Sequence, residues 1–240
     1  MQKTKIEWCD YTINPVKGLC PMACSYCYAR AMYKRFRWDG TIRLDASAIH
    51  GIHSIKTPSR IFVGSTMELF GEWIPEEYYD YIWGMVKAKP QHTFIFLTKQ
   101  PQNLSKWEFP DNCWVGVSAT DKMQFLSGIY HLINLEASIK FVSFEPLLET
   151  MSGGLYPIEE HLQNGGINWA IIGAQSPYSM KTFPKWEWVK EIIESCDKAK
   201  IPVFLKENLG LPKYSCEGAT PYYKKLPSGT MGLRQEMPYA

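Results

Sequence analysis

Short, continuous apolar runs alternate with helix-patterned segments along most of this chain, and that alternation restricts the fold more than any other feature. Residues 60–64, 93–97, 114–118, 140–144, 168–173 and 202–206 are nearly unbroken runs of Val, Ile, Phe, Leu, Trp and Ala. A strand that is apolar on both faces is buried on both, as in a parallel sheet covered by helices. Between the runs, residues 75–87 carry Tyr78, Tyr81, Ile82, Met85 and Val86 at helical spacing. Residues 122–135 carry Phe125, Leu126, Ile129 and Leu132, and residues 185–199 carry Trp188, Val189, Ile192, Ile193 and Cys196 in the same way. Intervals of three and four line one face of a helix. With residues 6–19 read as a short strand running into a loop, the chain offers about seven strands with crossover helices. The expected fold class is α/β, an incomplete (β/α) TIM-type barrel of about six to seven parallel strands, with a doubly wound sheet as the alternative.

The 240 residues are expected to form one domain, with 211–240, rich in Pro, Gly and Tyr, as a C-terminal cap or tail. At 45% hydrophobic and 21% charged residues, the chain can bury a core without disulfides. A formal net charge of +2 gives no global field to recruit nucleic acid, although Lys34, Arg35 and Arg37 form a local basic cluster. The first residues lack the apolar core of a signal peptide, and no run reaches membrane-span length. These features and the odd number of cysteines, 7, lead us to expect a cytoplasmic protein with reduced thiols. Residues 42–56 read as irregular, with His50 and His53 in a solvated loop.

Three of the cysteines, Cys20, Cys24 and Cys27, are spaced by four and three residues, just after the first strand and before a helix-patterned stretch from Tyr28 to Phe36. Those intervals return side chains to one side of a helical turn. Three converging thiolates can hold three irons of a cubane and leave the fourth iron open to a cofactor. The same residues also suit a zinc knuckle completed by Cys9, or three unrelated buried thiols. Cys9, Cys113, Cys196 and Cys216 follow no spacing of their own and read as structural thiols.

The spacing, with Tyr26 just before the last cysteine, resembles the signature of the radical S-adenosylmethionine (SAM) superfamily. Further stretches resemble one branch of it, a phage-associated radical SAM-like family. They include Lys5-Ile6-Glu7-Trp8, Asn14-Pro15, Phe62-Val63-Gly64-Ser65 with Glu68-Leu69-Phe70, and Leu97-Thr98-Lys99. Trp114-Val115-Gly116-Val117-Ser118, Ser143-Phe144-Glu145-Pro146, Trp169-Ala170-Ile171-Ile172-Gly173, Phe204-Leu205-Lys206 and Glu236-Met237-Pro238 continue the match. The chain departs from it at Gly173-Ala174-Gln175, where some relatives carry Gly-Gly-Glu. It departs again at Lys206-Glu207-Asn208-Leu209-Gly210, where they often carry Lys-Gln-Trp-Gly.

The resemblance implies that Cys20, Cys24 and Cys27 ligate a [4Fe–4S] cluster. It implies that S-adenosyl-L-methionine binds beside Tyr26, Ser65, Met67, Glu68, Ser118 and Gly173, with Glu68 suited to the cationic methionyl amine. One activity assigned within that family is queuine lyase, which releases 7-aminomethyl-7-deazaguanine for queuosine salvage. On that analogy the substrate is a small deazaguanine-like base. Glu145 and Lys206 are then the expected catalytic pair, with Asn14, Lys99, Gln175 and Glu207 contacting substrate. An enzyme acting on nucleic acid in the manner of spore photoproduct lyase is the alternative within the superfamily. The implied partner is an electron donor such as flavodoxin or ferredoxin; the lack of a membrane-length run argues against a membrane, and the net charge of +2 argues mildly against nucleic acid. The tail, through Tyr222, Tyr223 and Glu236, is expected to close over the site.

Overall fold

The computed structural model describes residues 2–215 and 221–238; Cys216 and part of the expected cap lie outside them. The chain divides into two compact units, Met1–Gly116 with Leu135–Ser138, and Val117–Asn134 with Ile139–Ala240. In the first unit β1 (Gln2–Lys3), β2 (Tyr11–Ile13) and β3 (Val16–Lys17) lead to α1 (Tyr28–Phe36). Then come β4 (Arg43–Leu44), α2 (Ala46–His50), β5 (Arg60–Val63), α3 (Glu76–Lys87) and β6 (Thr93–Thr98). β7 (Cys113–Ser118) begins in the first unit and ends in the second. The second unit continues with α4 (Lys122–Leu132), β8 (Ile139–Phe144), α5 (Ile158–Asn164), β9 (Trp169–Ile172), α6 (Trp186–Ala199) and β10 (Val203–Leu205). It closes with β11 (Tyr214–Ser215), β12 (Tyr223–Lys225) and β13 (Met231–Leu233).

The main sheet has the order β1-β2-β5-β6-β7-β8-β9-β10, and the strands from β2 to β10 run parallel. The parallel strands follow chain order with no reversal. A doubly wound sheet needs a point where the order turns back. Strict succession with right-handed crossovers is the winding of a (β/α) barrel. The fold is therefore the incomplete barrel type, and the doubly wound alternative is excluded. β7 and β9 are buried at every position, as strands covered on both faces should be.

The helices form where the pattern places them, with local reasons at their ends. Asp121 caps α4 by accepting the Gln124 amide, and Lys200 ends α6 in the left-handed region. Three expectations need correction. Residues 42–56 are not irregular: Asp45 accepts the Ser47 and Ala48 amides and starts α2, a helix of 5 residues that is too short to show a period. His50 ends that helix rather than sitting in a loop. The buried stripe of α3 runs through Tyr79, Ile82, Met85 and Val86, while Tyr81 is 56% exposed. Tyr79 wins the inner position because its hydroxyl donates to the Leu69 carbonyl. α5 was not anticipated at all. No helix among the described residues is long and apolar enough to cross a membrane.

Among the described residues the tail pairs along the β10 edge of the main sheet. β11, β13 and β12 form a separate antiparallel sheet, and residues 234–236 then run antiparallel along β10. The Leu205 amide donates to the Arg234 carbonyl at 2.7 Å and the Glu236 amide to Val203 at 3.0 Å. Arg234 is buried and pairs with Asp197 and Glu236, while Glu236 also accepts the Val203 amide at 3.1 Å. Tyr222 and Tyr223 donate to the Trp186 and Pro212 carbonyls. The tail thus covers the edge of β10, where unpaired backbone groups would otherwise face water.

Candidate active site

Two groups of polar side chains lie after strand ends, one in each unit. In the first unit the cysteine loop follows β2 and the short β3 and leads into α1. Gly18 brings the chain in at φ +130, against the backbone of residues 41 and 42; a Cβ there would stand 2.7 Å from the Ile42 Cα. The loop then turns tightly. Ala23 holds the left-handed φ of 49, and the Cys27 amide donates to the Cys24 carbonyl at 3.1 Å. Cys27 is the N-cap of α1, its sulfur accepting the Arg30 amide at 3.4 Å. The Arg30 guanidinium closes the loop by donating to the Cys20 carbonyl at 2.6 Å, and its Nε is buried without a partner among the described residues.

All three cysteines are free and half-buried. Burial raises the Cys20 thiol above its ordinary range, while hydrogen bonds from the Glu68 and Met22 amides pull it back down. Backbone donors at one sulfur and a helix N-terminus at another are the surroundings that suit metal-bound thiolates. Among the described residues no three His, Cys, Asp or Glu side chains come together closely enough to hold a metal ion. A cubane sets its thiolates on separate corners, further apart than the ligands of a lone ion. The donor set and the open, amide-lined loop suit that group.

The surrounding strand ends are tied to this loop. After β5, Glu68 is buried; its Oε1 accepts from Thr98 Oγ1 at 2.6 Å and the Phe70 amide at 3.1 Å, and its Oε2 accepts the Lys99 amide at 2.7 Å. Burial raises the Glu68 carboxyl above the usual carboxylate range, and those three bonds offset part of the shift. Its carboxylate is therefore engaged in joining the β5 loop to the end of β6, beside Cys20. Asn14 Oδ1 accepts Ser65 Oγ at 3.2 Å and the Thr66 amide at 3.1 Å, and the Ser65 carbonyl accepts the Tyr28 hydroxyl at 2.8 Å. Gln100 Nε2 donates to Met22 Sδ at 3.1 Å. Met67 is buried and Tyr26 half-buried. The structure thus brings Cys20, Glu68 and Lys99 together, and fastens Asn14, Ser65 and the start of α1 to one another. Arg30 and Thr98 complete this arrangement. Sequence reasoning gave neither a site role: Thr98 enters only through the Leu97-Thr98-Lys99 match, and a helix-surface arginine carries no motif.

In the second unit Glu145 follows β8 and forms an ion pair with Lys206, which follows β10. Glu145 and Lys206 side chains are 21% and 12% exposed. Asn208 presents its amide to both Ala174 backbone groups, at 3.0 and 2.7 Å, and lies 3.5 Å from Glu145 Oε1. The close approach expected over Gly173 is made by these side chains themselves. A Cβ there would meet Lys206 Cδ at 3.0 Å, Glu145 Cδ at 3.1 Å and Asn208 Oδ1 at 3.2 Å. Ser118 is buried at the end of β7. Gln175 accepts the Thr182 hydroxyl at 2.7 Å, and Glu207 is exposed and pairs with Lys213 at 2.7 Å. So Glu145, Lys206 and Gly173 meet, while Glu207 points elsewhere.

Cys9, Cys113 and Cys196 are buried, as structural thiols should be; burial pushes the Cys113 thiol up to about 12. No curated protein matches the chain by sequence. Two solved structures resemble it, both of spore photoproduct lyase variants. One, with bound AdoMet and dinucleoside spore photoproduct, is 14% identical with a TM-score of 0.49, covering 97% of this chain and 71% of that one. The other is 12% identical with a TM-score of 0.50, covering 98% and 71%. At that identity the second likeness concerns the fold alone. A family model matches residues 3–218, so the chain belongs to the family described as "Protein of unknown function (DUF5131)".

Proposed function

We propose that this chain is a radical SAM enzyme of lyase type, with Cys20, Cys24 and Cys27 as ligands of a [4Fe–4S] cluster and a nucleobase-like substrate. The observation that carries the reading is the setting of the three thiols. They occupy one loop after the first parallel strand of a singly wound sheet, and the last of them caps the following helix. When bound, the cluster and SAM supply an electron and, by reductive cleavage of SAM, a carbon-centred radical.

The chain's own residues hold and shield that chemistry. The Met22 and Glu68 amides and the α1 N-terminus stabilise negative charge on the sulfurs. Arg30 fixes the loop through the Cys20 carbonyl, and Glu68 fixes the two strand ends beside it. In the second unit, Glu145 is an acceptor suited to a base edge with two donors, such as the N–H and amino group of a deazaguanine. Lys206 pairs with Glu145 and is a donor for a carbonyl. Queuine is the substrate to test first. The fold likeness to spore photoproduct lyase favours a second substrate, a damaged base within a nucleic acid.

The test is anaerobic, with dithionite as reductant. Formation of 5′-deoxyadenosine from SAM, lost in Cys24→Ala, is the expected result. Adding queuine should yield the free aminomethyl base; product from a dinucleoside photoproduct instead would move the reading to nucleic acid. Absence of SAM cleavage by iron-loaded protein would overturn the proposal.

A further inference from the structure

We propose that the exposed face of α1 is the docking surface for an acidic one-electron carrier protein that reduces the cluster, an inference that rests on the radical SAM reading above. The sequence pattern of α1 gives it an apolar face, yet among its residues only Ala29 is buried. Met32 is 36% exposed, Phe36 51% and Trp38, just past the helix, 50%. An amphipathic helix ordinarily turns such a stripe to the core. Here the rings instead form a surface platform: Phe36 and Trp38 stack at 5.2 Å between centroids, and the Arg35 guanidinium lies 5.4 Å from the Phe36 ring centre. A contiguous exposed apolar patch rimmed by charge marks an interaction site.

The rim has one sign. Residues 28–38 contain no acid, and Lys34, Arg35 and Arg37 are exposed. Among the described residues none of the three is in an ion pair. The acids nearest in the chain, Asp39 and Asp45, are engaged by Arg43 and Lys17. Cations in the last turn also complement the helix dipole, but the dipole gives no reason for exposed rings beside them. An acidic partner is what free cations around a small apolar centre recognise.

Position supplies the redox character. Cys27 caps the helix, so the platform stands on the same rigid element as a cluster ligand. A helix of 9 residues is roughly 13 Å long, so a protein seated on it brings its own redox group close to the cysteine loop. Electron-transfer partners characteristically dock on small, charge-steered surfaces and leave quickly. In the step, the carrier is oxidised by one electron and the cluster is reduced by that electron; no atom or proton is transferred.

The probe is flavodoxin, with the anaerobic iron-loaded enzyme and Lys34→Glu/Arg35→Glu. Binding is measured by calorimetry at low and high salt. 5′-Deoxyadenosine formation is measured with reduced flavodoxin and, separately, with dithionite. The double variant should bind flavodoxin at least about tenfold more weakly and lose flavodoxin-driven turnover to a similar extent, with dithionite-driven turnover unchanged. Phe36→Ser should weaken binding with less effect on its salt dependence. Lys87→Glu/Lys106→Glu, an equal charge change elsewhere, should leave binding intact. Equal flavodoxin binding by wild type and Lys34→Glu/Arg35→Glu would overturn the docking surface, as would no binding by wild type. Short single-stranded DNA that binds in place of flavodoxin, and loses affinity in that variant, would overturn it in favour of nucleic acid. Failure of dithionite to drive SAM cleavage would sink the radical SAM reading, while the binding comparison still decides the surface.

Discussion

Two carboxylates, the buried Glu68 and the half-buried Glu145, sit in different surroundings. Glu68 is enclosed among backbone donors beside Cys20, and burial raises its carboxyl above the ordinary value of 4.5. The folded protein therefore keeps that proton to higher pH than the unfolded chain does. Its effect on stability is most favourable below the ordinary value and declines as pH rises from there through the raised one. Glu68→Gln should flatten that part of a pH series of denaturant melts; an unchanged slope would mean that Glu68 is not the group responsible. Glu145, in contrast, faces a cation, and the role proposed for it is chemical. Glu145→Gln should retain iron and SAM cleavage but lose substrate turnover by at least about a hundredfold, the scale of a missing acid–base group. Unchanged turnover would remove Glu145 from the substrate site. Both residues were legible in the sequence as polar positions after apolar runs. The pairing of Glu145 with Lys206 was legible as well, whereas the partners of Glu68 were not. The resemblance implies a cofactor contact for Glu68, and nothing in the chain order shows Thr98 and two amides converging on its carboxylate. Glu207 follows Lys206 in the chain, and a short turn of helix pairs it with Lys213, which chain order does not show.

The elements were legible where they are long and strongly patterned. Six apolar runs are strands within a residue or two of the expected bounds, because a doubly buried strand admits little else. α2, at 5 residues, and the tail strands, at 2 or 3, are set by caps and pairing, which periodicity does not report. Asp45 shows how such a cap works. Hydrogen bonds from Lys17, Ser47 and the Ala48 amide lower its carboxyl to about 2. Its contribution is fully present above the ordinary 3.8 and is lost as pH falls through about 2. Asp45→Ala should cost about 1 kcal/mol at neutral pH, with the difference vanishing in acid melts. α4 offers a packing test. Gly128 faces Val117, and a Cβ there would stand 2.6 Å from its Cγ2. Alanine gains helix propensity, but a stiff branched side chain gives way poorly. Gly128→Ala should therefore lower stability by about 1 kcal/mol, read by denaturation; a gain would show that β7 and α4 can separate freely.

At the scale of the whole molecule, the strand order is the strongest result. Parallel strands succeeding one another in chain order exclude the doubly wound sheet that the sequence left open, and the cysteine loop lies between the first of them and α1. The tail, which the sequence suggested as a lid, is an edge cover fixed by Arg234 and Glu236. Its aromatic content was visible, but which strand it would pair with depended on a buried ion pair formed far along the chain. The central claim is that Cys20, Cys24 and Cys27 together hold one cluster. Iron and acid-labile sulfide should be determined on anaerobically reconstituted wild type and on the three single cysteine-to-alanine variants. About four iron and four sulfide per chain in wild type, the content of one cubane, with sharp loss in each variant, is the result predicted here. Zinc in place of iron, or a full complement in any of the three variants, would contradict it.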